Sequence, residues 1–167
     1  MKIVESNVRK LNISGIKHLD PISVFLEDFE PRKGKITISC YDKSWNSYWG
    51  GMGDSTIAEF FTSCGNDYLA KNLSSIRSSV TDYESLGKKM IEHYGDDIDS
   101  ELEDIIESMG EESGDWDAWL RNNNKTMEEV FGEEWWVYGI PIKPNPEYEY
   151  LCRILDTVKE ALKNEQE

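Results

Sequence analysis

Apolar and polar residues alternate through the first forty positions. Leu11 and Ile13 stand between polar neighbours; after Pro21, Ile22, Val24 and Leu26 share one side of a run; past a turn at Pro31-Arg32-Lys33-Gly34, Ile36, Ile38 and Cys40 share one side of the next. A period of two places such residues on one face of a pleated strand, so the pattern predicts a three-stranded antiparallel meander. The ladder continues towards Tyr48, but the alternation blurs after Cys40, where a bulge would change which aromatic residues face the core.

From Asp54 the period becomes helical. Ile57, Phe60, Phe61 and Cys64 recur at i, i+3, i+4 and i+7, and Thr56 to Glu59 has the spacing of a capping box. Further helices are predicted over residues 68–76, 86–94 and 98–109, the last with Ile98, Leu102, Ile105, Ile106 and Met109 on one face and Gly95 and Gly110 as punctuation. Residues 115–120 add a helical turn, Asn122-Asn123-Asn124 reads as a polar loop, and 135–140 (WWVYGI) reads as a strand able to join the sheet. After Pro144 and Pro146 a closing helix carries Tyr148, Leu151, Leu155, Val158 and Leu162, with Pro146 suited to its first turn.

These elements amount to an α+β fold: an antiparallel sheet of three to four strands, the amino-terminal meander plus the strand near 135–140, packed against four to six helices. A length of 167 residues is that of a single domain, with a sheet-plus-helix part over 1–95 and a helical part over 96–167.

Charge separates the two parts. Residues 1–95 hold 12 Lys/Arg and 12 Asp/Glu, whereas 96–167 hold 6 and 21, so the second part carries the whole net charge of −15. No Lys or Arg occurs between Lys89 and Arg121, a gap that contains twelve acids. A field of that sign repels phosphate backbones and anionic lipid head groups and attracts basic surfaces, so direct nucleic-acid or membrane binding is not expected. No apolar run approaches the roughly 18 residues that cross a bilayer, and the first residues lack the apolar middle of a signal peptide, which points to the cytoplasm.

If 97–109 is helical, its acids flank a buried stripe and repel one another at 97/101, 99/103, 103/107, 101/104 and 104/107. Five such pairs cost on the order of 1–2.5 kcal/mol when exposed. A face that tolerates this repulsion is one that a cationic partner would relieve. The candidate partner-binding residues are therefore Asp97, Asp99, Glu101, Glu103, Asp104, Glu107, Glu111 and Glu112. A merely solubilising acidic face fits the same pattern. Asp97-x-Asp99-x-Glu101 resembles the start of a calcium loop, but Leu102 and Ser108 stand where that loop needs Gly and Glu.

Other chemistry leaves little trace. Cys40, Cys64 and Cys152 form no Cys-x-x-Cys pair, His18 and His93 are the only histidines, and no serine elbow, Walker loop or cofactor fingerprint is present. No catalytic residue, metal or cofactor is assigned. The densest unusual segment runs from Cys40 to Gly53, where Trp45, Tyr48 and Trp49 lead into Gly50, Gly51 and Gly53 ahead of a helix. A tight strand-to-helix turn packed by tryptophans accounts for it; a ligand pocket with Cys40, Cys64 or His93 nearby is the alternative.

Residues 36–74 carry C-Y-x-x-S-W-x-x-Y-W-G-G-M-G, a helix ending E-F-F-x-S-C, and Y-L-A-K-N-L-S, with L-D-P-x-S-V-x-L-E-D upstream at 19–28. This stretch resembles small proteins encoded by tailed bacteriophages and prophages of enteric and related bacteria. The resemblance covers roughly the first 75 residues and not the acidic remainder. It implies a bacterial cytoplasm and a phage accessory role, and it supplies no catalytic residues. Charge and resemblance together lead to a non-enzymatic protein that binds a basic surface of a host or phage protein, possible targets including nucleic-acid-handling and defence complexes. A small-ligand-binding or hydrolytic protein using residues 45–53, and a self-associating structural protein, are the alternatives.

Overall fold

In the computed structural model, which describes residues 1–5, 8–30, 32–109 and 115–165, the alternating stretch forms one more strand than its pattern predicts. Strands β1 (Arg9–Ile13), β2 (Ile22–Glu30), β3 (Lys33–Cys40) and β4 (Lys43–Trp49) lie in that order as an antiparallel meander. The β3–β4 turn is only Tyr41-Asp42, with Tyr41 in the left-handed region at φ 53°, and the ladder then runs without slippage from Cys40↔Lys43 to Gly34↔Trp49. The register irregularity lies instead in β2, between Asp28 and Glu30.

The two faces of the meander differ in chemistry. Ile22, Val24, Leu26, Ile36, Ile38, Cys40, Trp45 and Trp49 are buried on one. The other presents three rows across the strands: Asn12-Ser23-Ser39-Ser44, Lys10-Phe25-Thr37-Asn46 and Glu27-Lys35-Tyr48.

Three helices cover the apolar face. Helix α1 (Ile57–Ser63) starts in the predicted capping box: the Thr56 hydroxyl accepts from Glu59 N–H and the Glu59 carboxylate accepts from Thr56 N–H. Asp28 adds a further acceptor, taking the Ile57 N–H at 2.7 Å. Helix α2 (Asn66–Leu73) follows, and the 19-residue α8 (Pro146–Asn164) closes the chain, burying Leu151, Ile154, Leu155, Val158 and Leu162. Each such side chain contributes about 1.5–3 kcal/mol on burial. Asn66 and Asp67 of α2 bond to Asp156 and Tyr148 of α8 at 2.8 and 2.6 Å, fixing the two helices to each other. Gly34 is required where α1 meets the sheet, since a Cβ there would stand 2.8 Å from that of Ile57.

These elements make up one compact unit, Met1–Ser78 with Pro146–Glu167; residues Ser79–Asn145 form a second, inserted between α2 and α8. The ends of the insertion pair as a two-stranded ribbon, β5 (Ser79–Thr81) with β6 (Ile142–Pro144). Between them lie α3 (Tyr83–Tyr94), a 3-10 turn (Gly95–Asp97), α4 (Ser100–Ser108), α5 (Trp116–Asn122), α6 (Asn124–Phe131) and α7 (Trp135–Tyr138). Their core is Leu86, Met90, Ile106, Met109, Leu120, Met127 and Trp135.

The α+β class is as expected, with eight α-helices among the described residues. Two local readings change. Residues 135–140 are not a strand joining the meander: Trp135 is buried while Trp136 and Val137 are both exposed, and Gly139 N–H donates to Trp135 C=O as in a helix. Trp135 packs in the core of this unit with its indole N–H on Asn124 Oδ1 at 2.9 Å, and this tertiary packing overrides the β-propensity of the run. The later strand lies at Ile142–Pro144 and pairs with β5. The asparagine loop is the other change: only Asn123 departs from helical geometry, and α6 begins at Asn124 with Met127 buried beneath it. Among the described residues, no helix is long and apolar enough to cross a membrane.

Candidate functional site

The charge asymmetry follows the two compact units. Ser79–Asn145 contains 5 Lys/Arg and 18 Asp/Glu, a net of −13, and the remainder of the chain contains 13 and 15, a net of −2.

Several acids of the inserted unit have structural duties. Asp82 caps α3, where the Ser85 hydroxyl and N–H donate to it at 2.7 and 3.3 Å and hold its carboxyl below the ordinary 3.8. Glu84 pairs with Lys88 one turn on, which lowers its pKa as well. Asp99 and Asp115 cap α4 and α5, accepting from Leu102 N–H at 2.8 Å and Ala118 N–H at 3.0 Å. Asp117 accepts the Tyr83 hydroxyl at 2.6 Å, Glu129 accepts that of Tyr94 at 3.2 Å, and Glu128 bonds to Asn124. Burial, followed by the Asp117 bond, pushes the Tyr83 phenol up to about 12.

Nine other carboxylates have no such role. Glu92, Asp96, Asp97, Glu101, Glu103, Asp104, Glu107, Glu133 and Glu134 are all exposed, and none has a Lys or Arg within ion-pair distance among the described residues. Seven of the nine fall between positions 92 and 107. Helix α4 orients four of them: Ile106 is buried, Leu102 and Ile105 pack against the same core, and Glu101, Glu103, Asp104 and Glu107 are left outward. Gly87 of α3 allows α4 this close approach, since a Cβ there would lie 3.0 Å from Ile106 Cγ2.

Of the acids singled out by sequence, Asp97 lies in the 3-10 turn, Asp99 doubles as the cap, and Glu101, Glu103, Asp104 and Glu107 share α4. Glu111 and Glu112 lie outside the described residues. Because α4 begins at Ser100, the 97/101 and 99/103 pairs are not helical neighbours; 101/104, 103/107 and 104/107 are. The remaining repulsion costs about 0.6–1.5 kcal/mol. Glu92, Asp96, Glu133 and Glu134 join the uncommitted set without having been singled out; Lys88 stands four residues before Glu92 in the sequence, but it pairs with Glu84 instead.

The aromatic and glycine segment does not converge on one cavity. Trp45 and Trp49 are core residues, the latter donating its indole N–H to the Tyr68 hydroxyl at 3.0 Å and packing on Phe60. Tyr48 points to the opposite face of the sheet, 54% exposed, with its ring centroid 6.0 Å from that of Phe29. Gly50, Gly51 and Gly53 are exposed, and Gly53 has φ 64° in the turn before α1. Cys40 is buried with its Sγ 3.5 Å from the Tyr150 hydroxyl, a contact that heads the causes pushing that phenol up to about 12. Cys64 is half-buried, and His93 lies exposed on α3 with its ring against Tyr94. Among the described residues, no three His, Cys, Asp or Glu side chains gather as metal ligands.

No curated protein and no solved structure matches the chain. A family model described as a Phage family matches residues 1–164, a span that takes in the acidic inserted unit as well as the meander and its helices. The chain therefore belongs to this phage family.

Proposed function

We propose that this phage protein is a non-enzymatic accessory factor that captures a basic surface of a host or phage protein through the acidic face of its inserted unit. The observation that carries the reading is the set of nine exposed carboxylates without structural partners, seven of them between residues 92 and 107. Where a fold needs an acid, this unit caps a helix or accepts a phenol with it; these seven have no such use among the described residues, and those on α4 repel one another at 101/104, 103/107 and 104/107. A partner rich in Lys and Arg would relieve that repulsion and be steered in by the field of a unit carrying −13. The nine residues of α4 span roughly 13 Å, about the axial rise of four phosphates along one strand of duplex DNA. Surfaces built to hold nucleic acid therefore match it in sign and in length, and occupying such a site in a nucleic-acid-handling or defence complex is the corresponding biological act.

The test is capture from infected host lysate by the full chain and by a Glu101→Lys/Asp104→Lys variant, each at low and at high ionic strength. One protein should be retained by the native chain at low salt, lost at high salt, and lost on charge reversal. A partner that survives both changes, or no retained protein at all, would count against the reading.

A further inference from the structure

The outward face of the meander departs from the charge balance of the chain. Acids outnumber bases 33 to 18 overall, yet among the eleven residues of the three outward rows the only acid is Glu27, whose carboxylate stands 3.9 Å from the Lys35 ammonium; the pair Glu30↔Lys33 continues the ladder beyond those rows. Lys10 holds its ammonium above the same face, 5.2 Å from the centre of the Phe25 ring. Beside them Phe29 and Tyr48 leave their adjacent rings 53% and 54% exposed. The helices of this unit pack on the opposite face, and the two rings stay exposed among the described residues.

We propose that this face binds single-stranded nucleic acid, with bases stacked on Phe29 and Tyr48 and the backbone phosphates met by Lys10 and Lys35. Exposed aromatic rings on a sheet, spaced by hydroxyl and amide side chains and flanked by ammonium groups, form the platform on which unpaired bases stack, whereas a duplex keeps its base faces hidden. Thr37 and Asn46, in the row beside Tyr48, supply donors and acceptors for base edges. A protein partner would favour a continuous apolar patch, and here the pair of adjacent rings is bordered in the ladder by Glu27, Lys35, Thr37 and Asn46. The expectation that net charge forbids nucleic acid rests on the whole-chain sum. Resolved by unit, −13 belongs to residues Ser79–Asn145 and only −2 to the unit that holds the sheet. This inference is independent of the capture of a basic protein by the other unit.

The probe is a fluorescein-labelled oligothymidylate of about a dozen nucleotides, followed by anisotropy with the full chain at about 50 mM and about 200 mM salt. Saturable binding should appear at low salt and weaken at the higher. F29A/Y48A should lose about ten-fold or more in affinity, and K10E/K35E a comparable amount. The matched duplex should bind at least about ten-fold less tightly. Glu101→Lys/Asp104→Lys, which abolishes capture of a basic protein if that reading holds, should not weaken the oligonucleotide. All four substituted sheet residues point outward, and unchanged thermal melting would show that the variants fold. Absence of binding at low salt, equal binding of duplex, or native affinity in F29A/Y48A would overturn the proposal, as it would if the face proved to take only glycan or protein.

Discussion

Gly87 of α3 and Ile106 of α4 meet so closely that a Cβ on the glycine would come within 3.0 Å of Ile106 Cγ2 and 3.4 Å of the Ile106 carbonyl oxygen. Ile106 is the buried residue of the helix that carries Glu101, Glu103, Asp104 and Glu107. The absence of a side chain at position 87 is thus what seats the acidic helix, and it ties a packing detail to the surface proposed to function.

A branched side chain at that position should unseat α4. Gly87→Val is expected to cost about 1–3 kcal/mol through overpacking and to speed amide hydrogen exchange across residues 100–108, while β1–β4 keep native protection. Native exchange rates over α4 in the variant would mean that the contact is not what positions it.

The capping box of α1 gives an acid-side prediction. Bonds from the Thr56 N–H and hydroxyl hold the Glu59 carboxyl below its ordinary 4.5. A lowered folded-state pKa contributes stability at pH values above 4.5 and loses it as pH falls through the lower folded value. Denaturant melts between pH 6 and pH 3 should therefore show a steeper loss in the native chain than in Glu59→Gln. At neutral pH Thr56→Ala should cost about 1 kcal/mol.

That box was legible because capping is local: Thr56 and Glu59 stand three apart, and nothing distant competes for them. The meander was legible for a similar reason, since alternation dictates which side of a strand is buried. Its fourth strand blurred because the side facing the core depends on the length of the turn after Cys40. With two turn residues, Trp45 and Trp49 go inward and Tyr48 outward, a parity that divides the aromatic segment between two faces. Tertiary packing hid the rest. The WWVY run has strand propensity, yet the packing of Trp135 in the core with its hydrogen bond to Asn124 and a close contact at Gly139, whose Cβ would lie 2.7 Å from that of Phe131, fit it to a helical turn. The concentration of acid was plain in the sequence. Which acids cap helices or accept phenols, as Asp99, Asp115 and Asp117 do, depended on where helices begin and on which tyrosines lie near.

Tyr83 and Asp117 supply the alkaline counterpart. With the Tyr83 pKa raised from 10 to about 12, the stability linked to this phenol is complete below pH 10 and lost as pH rises through 12. The stability difference between the native chain and Tyr83→Phe, measured by urea unfolding, should be constant up to pH 10 and shrink above it. A pH-independent difference would mean that Tyr83 titrates as it does in the unfolded chain.

Asp104 offers the sharpest separation of stability from function, because it lies three residues from both Glu101 and Glu107 on the exposed side of α4. Asp104→Lys turns two like-charge pairs into two attractive ones, a gain of about 0.8–2 kcal/mol at low salt that fades as salt is added. A face used only for solubility has no reason to forgo that gain, whereas a face that must meet Lys and Arg on another protein cannot take it. The variant should therefore melt at a higher temperature than the native chain in low salt while retaining less of its basic partner. If it melted lower, the three α4 carboxylates would have to be stabilised by something other than a partner, and the acidic face would lose its claim to be a binding surface.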